Sequence, residues 1–143
     1  MTAPTTARSS DTGLEAPVDT RIVLSTLWTT MLFVFAYVDI FGFWRADVIR
    51  GALAGVVPGA GFAVDQRFLA LTTAYILVPS LMVAGSLLLP RRVARPASIA
   101  LAALYALTIL GSAAGEPWIY YLLGSGVEVV LLGCIALRAW RWR

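Results

Sequence analysis

Apolar residues fall into four runs along this chain, Ile22–Trp44, Phe68–Leu89, Ala97–Gly115 and Pro117–Leu137, with arginines, prolines and glycines collected between them. Each run approaches or exceeds the roughly 20 helical residues needed to cross a hydrocarbon layer about 30 Å thick. The pattern therefore predicts an all-α fold, an integral membrane four-helix bundle. The stretch Ala46–Gln66 differs. Ile49, Leu53, Val56 and Val57 recur at i, i+4, i+7 and i+8, while Asp47 and Arg50 form an i,i+3 pair on the opposite side. That spacing predicts a short amphipathic helix lying in the interface between helices 1 and 2. It should stop at the breakers Pro58-Gly59-Ala60-Gly61. Gly59-x-Gly61 has no strand–helix unit around it and is not a nucleotide loop.

Residues 1–20 carry no such period. They are rich in Thr, Ala, Ser and Pro, with Asp11, Glu15 and Asp19 against Arg8. Such a composition cannot build a core, so this stretch is expected to be a disordered cytoplasmic tail ahead of a transmembrane domain over 21–143. It lacks the charged leader of a signal peptide, and the apolar run behind it is too long for one.

Composition narrows the classes. Hydrophobic residues make up 59% of the 143 and charged ones 13%, against roughly 45–50% and 25% in soluble domains. A soluble domain of this size could not hide so much apolar surface, so the bilayer is the expected partner. All eleven basic residues are arginine. They stand at the ends of apolar runs rather than on one face, which points to membrane orientation and away from nucleic acid. With no histidine and Cys134 as the one cysteine, an intramolecular disulfide, a Cys/His zinc site and histidine-ligated haem are excluded. No metal or cofactor is expected. Cys134 reads as a small buried hydrophobe in the last run.

The polar residues inside the runs carry the functional question. Ser25, Trp28, Leu32, Phe35 and Asp39 share one side of the first span, and Thr72, Tyr75, Pro79 and Ser86 one side of the second. Pro79 is expected to kink its helix, as it lacks the donor to the Tyr75 carbonyl. Tyr105, Thr108 and Ser112 form a third stripe, and Tyr121, Ser125, Glu128 and Leu132 a fourth. Such stripes should face other helices rather than lipid. Two residues are acids. Asp39 lies about 8 Å inside the end of its span at 1.5 Å per residue, and Glu128 lies close to the bilayer centre. A charge there costs on the order of 2.5–3.5 kcal/mol. The candidate intramembrane polar site is therefore Asp39, Glu128, Tyr105, Tyr121, Thr108 and Ser125. The two tyrosines, Thr108 and Ser125 are the expected hydrogen-bond partners of Glu128. Arg45 or Arg67 could reach Asp39 by snorkelling.

Four spans put both termini on one side. Arg8, Arg21, Arg91, Arg92, Arg95, Arg138, Arg141 and Arg143 gather there, against Arg45, Arg50 and Arg67 on the other. An eight-to-three split places the termini, and an expected loop at Pro90–Pro96, in the cytoplasm.

Leu24-Ser25-Thr26-Leu27-Trp28, Tyr37-x-Asp39, Pro117-x-x-Tyr120-Tyr121, Glu128 and Ala139-Trp140-x-Trp142 together resemble a bacterial family of small four-helix integral membrane proteins, a domain of unknown function. The likeness covers Arg21–Arg143. It implies a multi-pass protein of the inner membrane, with Asp39 and Glu128 matching acids typical of the family, and it implies no activity. The pattern departs at Leu77, where relatives often carry an acid.

Three functions fit these residues. The preferred one is a structural or accessory membrane component whose acids bind helix to helix. The alternative is a proton- or cation-coupled small transporter or channel subunit using Glu128 and Asp39, acting as a homo-oligomer or with a membrane-protein partner. An enzyme is the least supported, because no nucleophile stands beside a base.

Overall fold

The computed structural model describes residues 18–143, so the expected tail lies outside the described residues up to residue 17. Among those described, the chain forms five helices: α1 Thr20–Gly42, α2 Ala46–Leu53, α3 Gln66–Leu88, α4 Arg91–Ala113 and α5 Ile119–Arg141. The four long ones have 23 residues each and are long and apolar enough to cross a membrane. At 1.5 Å per residue each is about 35 Å long. Asp19 caps α1 by accepting from the Arg21 amide at 2.9 Å, and Asp65 caps α3 by accepting from that of Phe68 at 2.8 Å. Both acids satisfy a donor that the first turn leaves free.

Element boundaries depart from the sequence reading in two places. Pro90–Pro96 is not a loop: only Leu89 and Pro90 lie between α3 and α4, and Arg91–Pro96 is helical. Pro90 takes the position before the first helical residue, and Pro96 stands so near the start that the helix forgoes only its bond to the Arg92 carbonyl. A cluster of arginines does not by itself break a helix. The helix after α1 is likewise shorter than the period suggested. It ends at Leu53, where Gly55 turns left-handed at φ 71°. The Gly55 amide then bonds the Ala52 carbonyl and the Val56 amide that of Gly51, the double closure of a Schellman end. Val56 instead pairs in an isolated bridge with Ala63. Nor do Asp47 and Arg50 pair, since Asp47 binds Arg45 at 2.7 Å.

The long helices form a ring in the order α1, α3, α4, α5, with α5 closing back on α1 and the slightest contact between α3 and α4. Hydroxyls inside the apolar segments are largely satisfied locally; Ser86, for instance, donates to the Met82 carbonyl at 2.7 Å. The core is concentrated towards the end formed by the start of α1 and the end of α5. Leu24, Trp28 and Met31 of α1 meet Met82, Leu132 and Ile135 there. At the other end α1 buries nothing beyond Met31 and α3 nothing before Pro79. The ring is thus filled at one end and hollow at the other. Its outer surface is apolar, with Leu71, Leu107 and Leu123 about 70% exposed. Cys134 is also exposed, contrary to expectation, because the inward stripe of α5 runs through Glu128, Leu132, Ile135 and Ala139 and misses it.

Candidate functional site

The hollow end encloses a cavity of about 530 Å³. All four long helices contribute. Phe35, Val38 and Asp39 come from the second half of α1, Phe68 and Tyr75 from the first half of α3, Thr108 and Ser112 from the end of α4, and Tyr121, Ser125 and Glu128 from the start of α5. Phe62, from the turn between α2 and α3, also lines it. Five of the six sequence candidates therefore meet in one place. The sixth, Tyr105, is buried beneath the cavity, its ring 4.5 Å from that of Tyr75.

Hydrogen bonding differs from the expectation. Tyr105, Thr108 and Tyr121 do not bind Glu128. The Tyr105 hydroxyl donates to the Tyr75 carbonyl. The Tyr75 and Thr108 hydroxyls share a bond of 2.6 Å, and Thr108 also bonds the Tyr105 carbonyl at 2.9 Å. This cluster ties α3 to α4 where their packing is thinnest. On the other side the Tyr121 hydroxyl donates to Ser112 Oγ at 3.0 Å, joining α5 to α4. Hydroxyl meets hydroxyl or carbonyl across the helices, and the acid is left out. Glu128 is 3% exposed, and its Oε1 has no hydrogen-bond partner among the described residues. Ser125, one turn earlier, is buried on the same stripe of α5.

Asp39 sits near the last turn of α1, exposed at the cavity's edge. Neither expected cation reaches it. Arg45 is committed elsewhere, to Asp47 at 2.7 Å and to Glu116 at 3.2 Å, with its guanidinium 4.8 Å from the Trp118 ring. Hydrogen bonding to Asp47, foremost, holds the Arg45 guanidinium protonated well above its ordinary range, and the same contact lowers the Asp47 carboxyl. The arginine stitches the α1–α2 turn to the α4–α5 turn, outside the cavity. Among the described residues no basic side chain lines the cavity. From the ends of their helices Asp39 is about 5 Å deep and Glu128 about 14 Å.

Close approach of α1 and α5 depends on Gly124. It is buried, and a Cβ there would overlap Val38 Cγ2. Sequence reasoning missed Val38, Phe62 and Phe68 as parts of the site. Phe62 lies in a turn without period, so nothing in the chain's pattern marks where its ring falls. Phe68 and Val38 look like ordinary apolar positions in their spans.

Chemically the cavity offers two carboxyls, a set of phenolic and aliphatic hydroxyls and the rings of Phe35, Phe62, Phe68, Tyr75 and Tyr121. Among the described residues no three His, Cys, Asp or Glu gather as a metal site would need. No protein-family model, no curated protein and no solved structure matches the chain.

Proposed function

We propose that this chain is a four-span protein of a bacterial cytoplasmic membrane that binds a small organic cation in its acid-lined chamber, in exchange for a proton on Glu128, as a carrier or carrier subunit. The observation that supports this reading is Glu128: among the described residues its buried carboxyl has an unpartnered oxygen, and no basic side chain lines the cavity it faces. An unsatisfied buried polar group costs roughly 1–3 kcal/mol, and more if charged. A protein retains such a cost where a ligand or proton relieves it. Aromatic rings around the carboxyls favour an ammonium or phosphonium over a hydrated metal ion, because ring faces attract weakly hydrated cations. The volume lies within the roughly 300–1,000 Å³ of small-molecule sites. One monovalent cation entering releases one proton, so the site keeps its net charge.

The structural alternative, with acids as interhelical glue, fits less well. The glue is supplied by the tyrosine, threonine and serine hydroxyls.

The apolar exterior supports placement in a membrane, since only 11 to 28% of the apolar window of each long helix is buried within the protein. Arg21, Arg91, Arg92, Arg95, Arg138, Arg141 and Arg143 lie at the ends of the helices near the termini, and Arg45, Arg50 and Arg67 at the other. That asymmetry supports a reading with the termini in the cytoplasm and the chamber towards the outer face. There α2 rests in the interface, Ile49 and Leu53 exposed for lipid contact. The motif resemblance to a small bacterial four-helix family agrees with this reading and adds no activity to it.

Calorimetry on detergent-solubilised protein, titrated with tetraethylammonium and with tetraphenylphosphonium, tests the proposal. Binding should release protons into weak buffer, tighten as pH rises, disappear in Glu128→Gln and weaken in Asp39→Asn. Binding by Glu128→Gln equal to the wild type would refute it, as would no heat and no proton release with either probe.

A further inference from the structure

A second cavity, of about 540 Å³, lies at the opposite end, between the first turns of α4 and the last turns of α5. Its lining divides in two. Arg91, Arg92 and Arg95 supply the charge, and Pro96, Ile99 and Trp140 the apolar part. Two of the guanidiniums are held in place by backbone carbonyls at the end of α5 and just beyond it. Arg91 Nη2 donates to the Trp142 carbonyl at 2.9 Å and Arg95 Nη2 to that of Trp140 at 3.0 Å. Each bond uses one of five N–H donors and leaves the rest for another acceptor. Arg92 makes no side-chain hydrogen bond among the described residues. Neither ion pair among those residues lies here, since both belong to Arg45 at the other end. Asp19, the described acid at this end, caps α1 through the Arg21 amide. The start of α4, with no side-chain cap of its own, adds the positive end of a helix dipole.

We propose that this cavity binds the phosphodiester headgroup of an anionic phospholipid from the cytoplasmic leaflet, with an acyl chain lying against Ile99 and Trp140. Three points carry it. The guanidinium fork matches phosphate oxygens. Among the described residues no carboxylate pairs with these arginines. The apolar floor adjoins the arginines on the side towards the hydrocarbon, which a free phosphate would not use and a lipid would. Basic pockets between membrane helices on the cytoplasmic side take anionic headgroups for these reasons. The proposal rests on the four-span placement above but not on the chamber's ligand.

Native mass spectrometry of the full chain, released from micelles containing equal phosphatidylglycerol and phosphatidylcholine, tests it. The wild type should retain phosphatidylglycerol preferentially, and inorganic phosphate should not displace it. The triple variant Arg91→Gln/Arg92→Gln/Arg95→Gln should lose affinity on the order of 100-fold, and Arg92→Gln alone about 5-fold. If the triple variant fails to fold, Arg92→Gln decides, because that side chain makes no hydrogen bond among the described residues. Arg50→Gln/Arg67→Gln, which removes charge at the other end, should leave retention unchanged. Equal retention of both lipids by the wild type would overturn the proposal. So would unchanged retention in Arg92→Gln, or an equal loss in Arg50→Gln/Arg67→Gln. Displacement by inorganic phosphate at matching concentration would show a free-anion site and overturn it too. Cation titration of Arg92→Gln separates the two ends: failure here with intact cation binding leaves the chamber reading standing.

Discussion

Replacing Glu128 by leucine should stabilise the folded protein. The carboxyl is 3% exposed and its Oε1 lacks a partner, so the folded state carries an uncompensated desolvation cost. Such a cost is roughly 1–3 kcal/mol for one buried polar group. Leucine has a similar volume, and its neighbour one turn on, Leu132, is fully buried on the same stripe. An apolar group of matching shape at a buried polar position is often neutral to stabilising. The expected gain is therefore about 1–2 kcal/mol, with cation binding lost. Had Glu128 joined the helices by hydrogen bonds, the same change would cost about 0.6 kcal/mol or more, the mean for such bonds in a membrane bundle. The two accounts differ in sign, which makes the measurement decisive. Reversible unfolding in mixed micelles, with helicity followed against denaturing detergent, gives the difference. A loss of about 0.6 kcal/mol or more in Glu128→Leu would show that the acid holds partners in the fold and would refute the reasoning.

The remaining predictions concern the chamber's walls. Tyr105→Phe removes the bond to the Tyr75 carbonyl and Thr108→Val the bond to the Tyr75 hydroxyl; each should cost about 0.5–1.5 kcal/mol. As both act between α3 and α4, the double variant should lose less than the sum, checked by a double-mutant cycle. Gly124→Ala drives a methyl into Val38 and should cost about 1–3 kcal/mol, with Val38→Ala restoring most of it in the same unfolding assay. Arg45→Ala frees Asp47, Glu116 and Trp118 together, so hydrogen exchange should accelerate in both outer turns while the spans stay protected. Because Arg45 lowers the Asp47 carboxyl below its ordinary value, the contribution of that pair is present above the ordinary aspartate range. It should fade as pH falls through the lowered value.

The four long apolar helices were legible in the chain because they depend on neighbours in sequence. A run of apolar residues as long as Ile22–Trp44 makes a helix by satisfying its backbone internally, whatever packs beside it. The four long helices follow from that alone, and so do the inward stripes, since helical spacing places Ser125, Glu128 and Leu132 on one face before any partner is known. Even the candidate site was largely in view, as polar residues on inward stripes can only meet in the middle. Local readings failed where a single residue decided the outcome. Gly55 ended α2 four residues sooner than the period of Ile49, Leu53 and Val57 suggested, and Pro96 proved tolerable so near the start of α4.

What only the tertiary structure decided is who bonds whom. Tyr105 could have reached Glu128 by its stripe, but the ring order sets it against α3, and its hydroxyl takes the Tyr75 carbonyl instead. Arg45 was near enough in sequence to serve Asp39, yet Glu116 and Trp118, some seventy residues on, hold it outside the chamber. Phe62 entered the cavity from a turn that carries no period at all. A side chain's direction is a property of its own helix, whereas its partner is a property of the helix opposite. That second fact is settled by packing, which no stretch of chain contains on its own.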